Sequence, residues 1–336
     1  MLGYFKNAFT PRRDHADCSG CSLCLLVCPV WRQSRDVSLT PPGHFKAMQH
    51  GTSAADAAAS VENCTLCMAC EPVCPENIDI TGIILELRRQ LAAPAWMHGL
   101  QARMTEMAGR KAASAPSSST MLLPDQALHA HPDLLARVVR LLGNNGTFPV
   151  SDDSSLDISL ALEAGVAIPE QHLQRFLKLL RRLKKIIVAD GLLLRHLKQW
   201  LPKADIIGLG EALSGHPAVR RGLCTTDLYV IEPRAYHSDY QRLVKHYDRL
   251  RVAHGCAFNL DLQRIAIPAT ARNLPQRLGL TMPNDEGQTR WVLHGRNINR
   301  IVVESLEERA VLEKVSNFPV VHLAELVDDG GHAQQT

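Results

Sequence analysis

The cysteines constrain this chain more than any other feature of its sequence. Eight of the ten cysteines fall into two copies of the run C-x-x-C-x-x-C-x-x-x-C-P. The first copy contains Cys18, Cys21, Cys24 and Cys28 before Pro29, and the second contains Cys64, Cys67, Cys70 and Cys74 before Pro75. Such a run is typical of proteins that hold cubane iron-sulfur clusters. We therefore expect two [4Fe-4S] clusters.

The spacing within each run predicts how the ligands are shared. Three thiolates that are two residues apart can wrap one corner of a cube, whereas the fourth usually ligates the other cluster. We expect the first cluster to be held by Cys18, Cys21, Cys24 and Cys74. We expect the second cluster to be held by Cys64, Cys67, Cys70 and Cys28. Each proline turns the chain away after the crossing ligand, because it fixes φ and lacks an N–H group.

Zinc sites and disulfides are two other uses of cysteines. Structural zinc sites pair C-x-x-C knuckles around one tetrahedral ion, and four cysteines so close in sequence are not typical of them. Disulfides form in oxidising compartments. The first residues have a short apolar stretch with basic residues after it, which is the wrong order for a signal peptide. The pattern therefore favours reduced, metal-binding thiolates.

Composition limits the remaining classes of function. At 336 residues with 46% hydrophobic content, the chain is long enough for two domains. Its 37 basic and 34 acidic residues give a formal charge of +3, which does not indicate a nucleic-acid-binding protein. The sequence contains no run of about eighteen apolar residues that would span a membrane. We expect a cytoplasmic protein, or one bound peripherally to the inner face of the membrane through a partner.

The chain divides into four parts by sequence pattern. Residues 1–92 form the module with the cysteine runs, and residues 93–170 form a connector rich in Pro, Ser, Gly and Asn. Residues 171–328 alternate strand and helix patterns, and residues 329–336 form a tail. The predicted fold is multidomain, with an α-helical ferredoxin-like dicluster module followed by an α/β domain that contains an internal duplicated α/β unit.

Helical patterns surround the second cysteine run. The break at Pro41-Pro42-Gly43 separates short segments, and the alanine-rich stretch 54–59 favours helix. After Pro75, apolar residues recur at helical spacing from Ile80, with Asp79 or Thr81 available as the N-cap. This helical insertion favours the α-helical ferredoxin arrangement over the compact bacterial one.

The α/β part contains a repeat. Its strand candidates are Ile186 to Val188 and the segments ADIIGLG, DLYVIEP, RIAIPA, NRIVVES and PVVHLAE, which predict a largely parallel sheet. When the segment from Ile186 is laid over the segment from Ile301, both run strand, helix, strand with matching apolar residues. Two similar units imply pseudo-twofold symmetry.

Two cubane motifs followed by a duplicated α/β unit resemble a known family of iron-sulfur subunits. These are related to heterodisulfide reductase, to the C subunit of anaerobic glycerol-3-phosphate dehydrogenase and to the iron-sulfur subunit of glycolate oxidase. The resemblance implies a cysteine-rich motif in each α/β unit, which in some members holds a further redox cofactor.

This chain departs from that family in its α/β units. Where the family has C-x-x-C, it has Asp190 and Leu193 in one unit and Ser305 and Glu308 in the other. The Asp-Pro-Cys of the family corresponds to Glu232-Pro233-Arg234, and nothing like Cys-Cys-Gly follows near Ile267-Pro268. Soft metal sites need thiolate or imidazole ligands. We therefore expect the second domain to keep the scaffold and to lack the cofactor.

Two cysteines and three histidines remain as weaker candidates. Cys224 and Cys256 lie outside any ligand run, and free cysteine is usually a buried packing residue. A residual role for Cys256 is the alternative, because His254 and Gly255 precede it. His237, His246 and His254 are close in sequence, but surface or packing roles are the expectation.

These patterns predict a subunit that transfers electrons and has no catalytic residues of its own. No G-x-G-x-x-G and no phosphate-binding G-x-x-x-x-G-K motif is present in the sequence. The expected partner is a flavoprotein or other redox subunit, or a quinone-linked membrane subunit. The alternative is a catalytic subunit that reduces a disulfide or a similar substrate through its C-terminal domain, as relatives that carry the cofactor do.

Overall fold

The structure is a computed structural model. It describes residues 13–92, 95–109, 118–143, 149–152, 154–261, 263–282 and 286–327. The tail predicted at 329–336 lies outside the described residues, as does most of the N-terminal segment that was compared with a signal peptide.

Short helices make up the part of the chain that carries the cysteine runs. They are α1 (Pro29–Ser34), α2 (Pro41–Gln49), α3 (Ala58–Asn63) and α4 (Ile80–Gln90), with 3-10 turns at His15–Asp17, Leu23–Leu26 and Val37–Leu39. Pro41 and Pro42 occupy the first turn of α2, so the predicted break is in fact a helix start. Proline is suited to that position, because the first N–H groups of a helix have no intrahelical acceptor.

Helix α4 follows the sequence prediction closely. Asp79 is its N-cap, and the carboxylate accepts a hydrogen bond from the Gly82 N–H at 3.1 Å. Ile80, Ile84 and Leu87 are buried on one face of the helix. The predicted helix after the second cysteine run, and Asp79 as its cap, are confirmed.

The predicted connector, 93–170, holds more regular structure than the sequence indicated, since only a short helix around HPDLLARVVRLL was predicted there, and that helix is confirmed. It contains α5 (His98–Gly109), β1 (Thr120–Leu123), α6 (Gln126–His129), α7 (Pro132–Leu142) and α8 (Ser154–Ala164). Strand β1 pairs in parallel with β2 (Lys185–Val188), so the first sheet starts well before residue 171. With only four residues between a serine run and Pro124, β1 is too short to show a strand period.

Two parallel sheets form the rest of the core. The remaining strands are β3 (Asp205–Gly208), β4 (Asp227–Val230), β5 (Ala257–Phe258), β6 (Arg300–Val303) and β7 (Val320–His322). Among the described residues, one sheet has the order β1-β2-β3 and the other has the order β5-β4-β6-β7. In the first sheet, Val150 forms a parallel bridge to Leu122 of β1 on the edge away from β2. In the second sheet, β5 has the equivalent place beside β4. Both sheets thus run in the same spatial order.

Helices connect and cover these strands. They are α9 (Glu170–Leu180), α10 (Gly191–Trp200), α11 (Leu209–Ser214), α12 (Pro217–Arg221), α13 (Pro233–Ser238), α14 (Tyr240–His254), α15 (Leu274–Arg277), α16 (Gly287–Leu293) and α17 (Leu306–Val315). A 3-10 turn, Leu323–Leu326, follows β7. The two strand-helix-strand units seen in the sequence are therefore β2-α10-β3 and β6-α17-β7, each with parallel strands.

The segment RIAIPA was predicted to be a strand, and that prediction is wrong. Ile265, Ala266 and Ile267 are buried, but this stretch forms only an isolated antiparallel bridge to Leu260. The Asn259 amide donates to the carbonyl oxygens of Ile231 and Ile267 at 3.1 and 3.0 Å, and so takes the place of a strand ladder. The sequence pattern of a short apolar run does not distinguish a strand from another kind of buried segment.

The module with the cysteine runs and the first sheet share one hydrophobic core. Val61 and Ile84 from the module belong to the same buried cluster as Ile186 of β2 and Leu192 of α10. Val27, Cys67 and Ala69 also pack against Ile265 from the second half of the chain. The cysteine runs are therefore fixed against the α/β region by buried apolar contacts.

Candidate functional site

The eight cysteines of the two runs surround two cavities, four to each. One cavity is lined by Cys18, Cys21, Cys24 and Cys74. The other is lined by Cys28, Cys64, Cys67 and Cys70. The fourth cysteine of each run thus lies with the three cysteines of the other run, which is the grouping that the spacing predicted. All ten cysteines of the chain are free of disulfides.

The two cavities are neighbours. Pro41, at the start of α2, and Ile80, at the start of α4, line both of them. Both side chains are buried, so the shared wall is apolar. Cys21 in the first cavity is exposed, whereas Cys28 and Cys67 in the second are buried. The first cavity therefore lies nearer to solvent than the second.

The two cysteine runs share an unusual backbone conformation. Gly20 and Ser22 in the first run have φ of 77° and 62°, and Leu66 and Met68, at the equivalent places in the second run, have φ of 53° and 62°. A residue with a side chain in the left-handed region costs about 1 kcal/mol or more. Leu66 and Met68 are only 1% exposed, so tight packing holds them in this form. Such local strain is characteristic of functional loops.

The arrangement of the thiols suits a positively charged group. Burial, followed by repulsion from Cys74, Cys18 and Cys21, raises the pKa of Cys24 to about 12. Burial also raises the pKa of Cys67 to about 11. Metal binding requires thiolates, and a bound cation removes the cost of gathering them. A 4Fe-4S cluster takes its four thiolates around a cube, so the four cysteines at each cavity fit such a group.

Burial raises the pKa of the cysteines around the second cavity, and backbone N–H groups act against this rise. The N–H groups of Trp31 and Val30, in the first turn of α1, lower the pKa of Cys28. The N–H groups of Leu66 and Ala69 do the same for Cys64 and Cys67. Hydrogen bonds of this kind favour the ionised thiol and are among the factors that set the potentials of iron-sulfur centres.

A buried arginine supports the second cysteine run from α4. Arg88 is 5% exposed and donates to the carbonyl oxygens of Cys64 at 2.6 Å, Val61 at 3.1 Å and Glu62 at 3.3 Å. A further donor reaches the Glu163 carbonyl oxygen at 2.6 Å. Arg88 therefore links the second run to α8 and brings a positive charge close to Cys64.

A buried ion network lies behind the same loop. Arg234 of α13 donates to both carboxylate oxygens of Glu163, at 2.9 and 2.7 Å, and to the Thr65 carbonyl oxygen at 2.7 Å. Arg277 also binds Glu163, and its other end pairs with Glu307. Burial alone would raise the pKa of Glu163, but Arg234 and Arg277 hold it well below its usual range. The Glu163 carboxylate is therefore ionised inside the protein.

Two more side chains of the α/β region hold the second run. Arg195 of α10 pairs with Glu71, at 2.7 Å, and with Asp79, and so joins the run to the cap of α4. The Nδ1 atom of His237 lies 2.8 Å from the Cys67 carbonyl oxygen. Burial lowers the pKa of His237 to about 4, so the ring is neutral and its Nδ1–H donates.

The other candidates from the sequence lie elsewhere. Cys256 is 3% exposed in the core of the second sheet, and burial raises its pKa to about 11. Cys224 is exposed. His246 contacts the Ser214 hydroxyl at 2.9 Å through Nε2, and His254 is the last residue of α14. Of the three histidines, His237 alone has a contact to a cysteine of the runs among the described residues.

Three residues that the sequence analysis singled out in the α/β region, Asp190, Ser305 and Arg234, have structural roles. Asp190 caps α10 by accepting a hydrogen bond from the Leu193 N–H at 2.7 Å. Ser305 caps α17 by accepting from the Glu307 N–H at 3.2 Å. Arg234 belongs to the ion network with Glu163. These side chains therefore cap helices or pair with a buried carboxylate.

Sequence reasoning missed the charged residues around the second cavity. Arg88 lies four residues after Ile84, on the face of α4 that the apolar spacing identifies as buried. An arginine on the apolar face of a helix indicates a specific buried contact, because a buried arginine needs hydrogen-bond acceptors. Arg234 gave no comparable signal, since its contacts to Thr65 and Glu163 join distant parts of the sequence.

Comparison with known proteins identifies the part of the chain that carries the runs. Residues 14–78 match the family described as a 4Fe-4S dicluster domain. No curated protein and no solved structure matches the chain. The similarity supports an iron-sulfur protein that binds a 4Fe-4S cluster, and such a domain suggests electron transfer.

No helix among the described residues is both long and apolar enough to cross a membrane. Within the same residues, no three histidine, cysteine, aspartate or glutamate side chains are grouped around a position for a single metal ion.

Proposed function

We propose that this chain is the electron-transfer subunit of an oxidoreductase complex and carries two [4Fe-4S] clusters. Cys18, Cys21, Cys24 and Cys74 would hold one cluster, and Cys28, Cys64, Cys67 and Cys70 would hold the other. When bound, each cluster supplies one-electron redox chemistry. The observation that carries the proposal is the arrangement of four cysteines around each of two adjoining cavities.

The surroundings of the cavities suit a relay between an outer and an inner site. The exposed Cys21 gives a partner close access to the first cavity, whereas the second is enclosed by the α/β region. Pro41 and Ile80 keep water out of the wall between them. The partner would be a flavoprotein or another redox subunit, or a quinone-linked membrane subunit, in the cytoplasm or at the inner face of the membrane.

The α/β region would serve as a scaffold that is related to the cofactor-bearing domains of the resembling family. Its two units have the same strand order, which supports an origin by duplication. The helix caps Asp190 and Ser305, and the ion pair of Arg234, stand where that family has cysteines. The role proposed for the region is to hold the second cysteine run through Arg195, Arg234 and His237.

Metal analysis of the anaerobically purified chain tests this function. We expect about eight irons and eight sulfides per chain, together with electron paramagnetic resonance signals of reduced cubanes after dithionite treatment. A Cys224→Ser variant, altered at an exposed cysteine outside the runs, should keep this content. About four irons per chain would refute the two-cluster proposal, and a clear excess over eight would favour the catalytic, cofactor-bearing alternative.

A further inference from the structure

The first cysteine of each run has a carbonyl oxygen that accepts a hydrogen bond from a cation. In the first run, the Lys46 Nζ donates to the Cys18 carbonyl at 2.9 Å. In the second run, Arg88 donates to the Cys64 carbonyl at 2.6 Å. The two cations differ in burial, since Lys46 is half-buried and Arg88 is 5% exposed. Water and salt therefore screen the charge near the first cavity much more than the charge near the second.

The charge of Arg88 is not balanced by a carboxylate in direct contact. Its donors go to the carbonyl oxygens of Val61, Glu62, Cys64 and Glu163. Within the described part of the chain it forms no salt bridge, and an arginine remains protonated even when it is buried. Arg88 thus places a full positive charge in a dry environment beside the second cavity.

Three other arginines near the second cavity are paired with carboxylates, whereas the half-buried Lys46 beside the first cavity and the half-buried Arg32 near Cys28 donate to carbonyl oxygens. Arg234, which reaches the Thr65 carbonyl, is balanced by Glu163, while Arg277 shares Glu163 with it and also pairs with Glu307. Arg195 is balanced by Glu71 and Asp79. In the wall of the first cavity, Glu76 pairs with Arg13 at 2.7 Å. Among the described residues near the two cavities, Arg88 is therefore the most deeply buried charge without a carboxylate partner, and it lies beside the second cavity.

We propose that Arg88 makes the iron-sulfur group held by Cys28, Cys64, Cys67 and Cys70 the easier of the two to reduce. The inference rests on the two-cluster function proposed above. One-electron reduction adds a negative charge to the group, and a nearby cation in a medium of low dielectric favours the reduced form. Arg88 thereby gives the relay a direction, with the exposed cavity at its more reducing end and the enclosed cavity as the electron sink.

A pair of neighbouring arginines on α4 provides the test. Arg88→Gln and Arg89→Gln remove the same charge from the same helix, but Arg89 is exposed and pairs only locally with Glu86. Potentials are measured on the full chain by anaerobic titration with dithionite, followed by electron paramagnetic resonance. In Arg88→Gln, we expect the electron affinity of the higher-potential centre to fall about tenfold, which is about 59 mV for a one-electron couple. Arg89→Gln should leave both centres unchanged.

Two further variants separate charge from structural support. Arg88→Lys keeps the charge and loses hydrogen bonds, so it should retain most of the wild-type potential. Glu163→Gln removes a buried anion from the same neighbourhood, so it should raise the potential of the same centre. Opposite shifts in Arg88→Gln and Glu163→Gln are not expected from a general loosening of the loop. If Arg88→Gln does not assemble its cluster, the sign of the shift in Glu163→Gln decides.

The outcomes distinguish this inference from the function on which it rests. Eight irons with equal shifts in Arg88→Gln and Arg89→Gln would overturn the role of Arg88 and leave the two-cluster function intact. A shift in Arg88→Lys as large as in Arg88→Gln, or a lowered potential in Glu163→Gln, would also overturn it. A wild-type chain with a single redox centre would overturn both proposals.

Discussion

Replacing Arg234 by methionine tests how much the buried ion network contributes to stability. Arg234 and Glu163 are joined by two hydrogen bonds, and their side chains are 10% and 4% exposed. Removing one partner of a buried pair costs about 3 to 5 kcal/mol, because the remaining charge is left buried. Arg277 still pairs with Glu163, which places the expected loss near the lower value, but the Thr65 carbonyl also loses its donor.

An arginine-glutamate pair with an exposed arginine offers a control. Arg242 also contacts both carboxylate oxygens of its partner, Glu211, but the two side chains are 46% and 13% exposed, and Arg242 has a second partner in Asp239. Exposed pairs contribute about 0 to 1 kcal/mol. Arg234→Met should thus lower the free energy of unfolding by about 3 kcal/mol. Arg242→Met should lower it by less than about 1 kcal/mol.

Thermal unfolding of the anaerobically purified chain at a fixed scan rate measures the difference. The entropy of unfolding is about 2.1 cal/mol/K per residue, which corresponds to roughly 1.4 °C per kcal/mol in a chain of this size, so Arg234→Met should lower Tm by roughly 4 °C. Arg242→Met should lower it by roughly 1 °C at most. The double variant Arg234→Met, Glu163→Gln removes both charges and should lose less stability than the two single losses added together. Equal losses for Arg234→Met and Arg242→Met, or strict additivity in the double variant, would refute the reasoning.

Three further predictions follow from other parts of the structure. Cys74→Ser should remove about half of the iron, because Cys74 completes the cavity lined by the first run; a chain that keeps all its iron would contradict the crossing arrangement. Gly191→Ala should destabilise the protein by about 1 to 3 kcal/mol, because a Cβ there would lie 2.2 Å from the Ala235 nitrogen. Gly99→Ala, with nothing within 4 Å of its Cβ, is the control in denaturant unfolding and should not destabilise. Burial raises the pKa of Glu304 to about 7, so the folded chain keeps a proton that the unfolded chain has released, and stability should fall as pH rises from 6 to 8. Glu304→Gln should reduce this fall by about 1 kcal/mol, as measured by Tm at each pH, and an unchanged slope would contradict the assignment.

The sequence predicted the grouping of the cysteines better than it predicted the support around them. Cluster ligation leaves a local signal, since the spacing of the run reflects the shape of the group it holds. The contacts of Arg234 and His237 to the second run leave no such signal, because they join residues about 170 positions apart. These contacts depend on the packing of the whole chain.

Local patterns also determined which parts of the fold were predictable. The amphipathic helix α4 was predicted correctly, because its N-cap, Asp79, and the spacing of its apolar residues both place its start at the same point. Strand β1 was missed, because four residues are too few for a period and its partner β2 comes more than sixty residues later. The RIAIPA segment was wrongly predicted as a strand, because a short buried segment has the same apolar sequence pattern whether or not it pairs in a sheet.

The exchange of Cys28 and Cys74 between the two cavities has a consequence for the order of assembly. A nascent chain that has left the ribosome only as far as α3 contains the whole first run, yet neither cavity has its four cysteines. Both become complete only when the second run has emerged and folded back over the first. Loading is therefore expected to be concerted and late, so that truncated chains would not retain a full complement of metal.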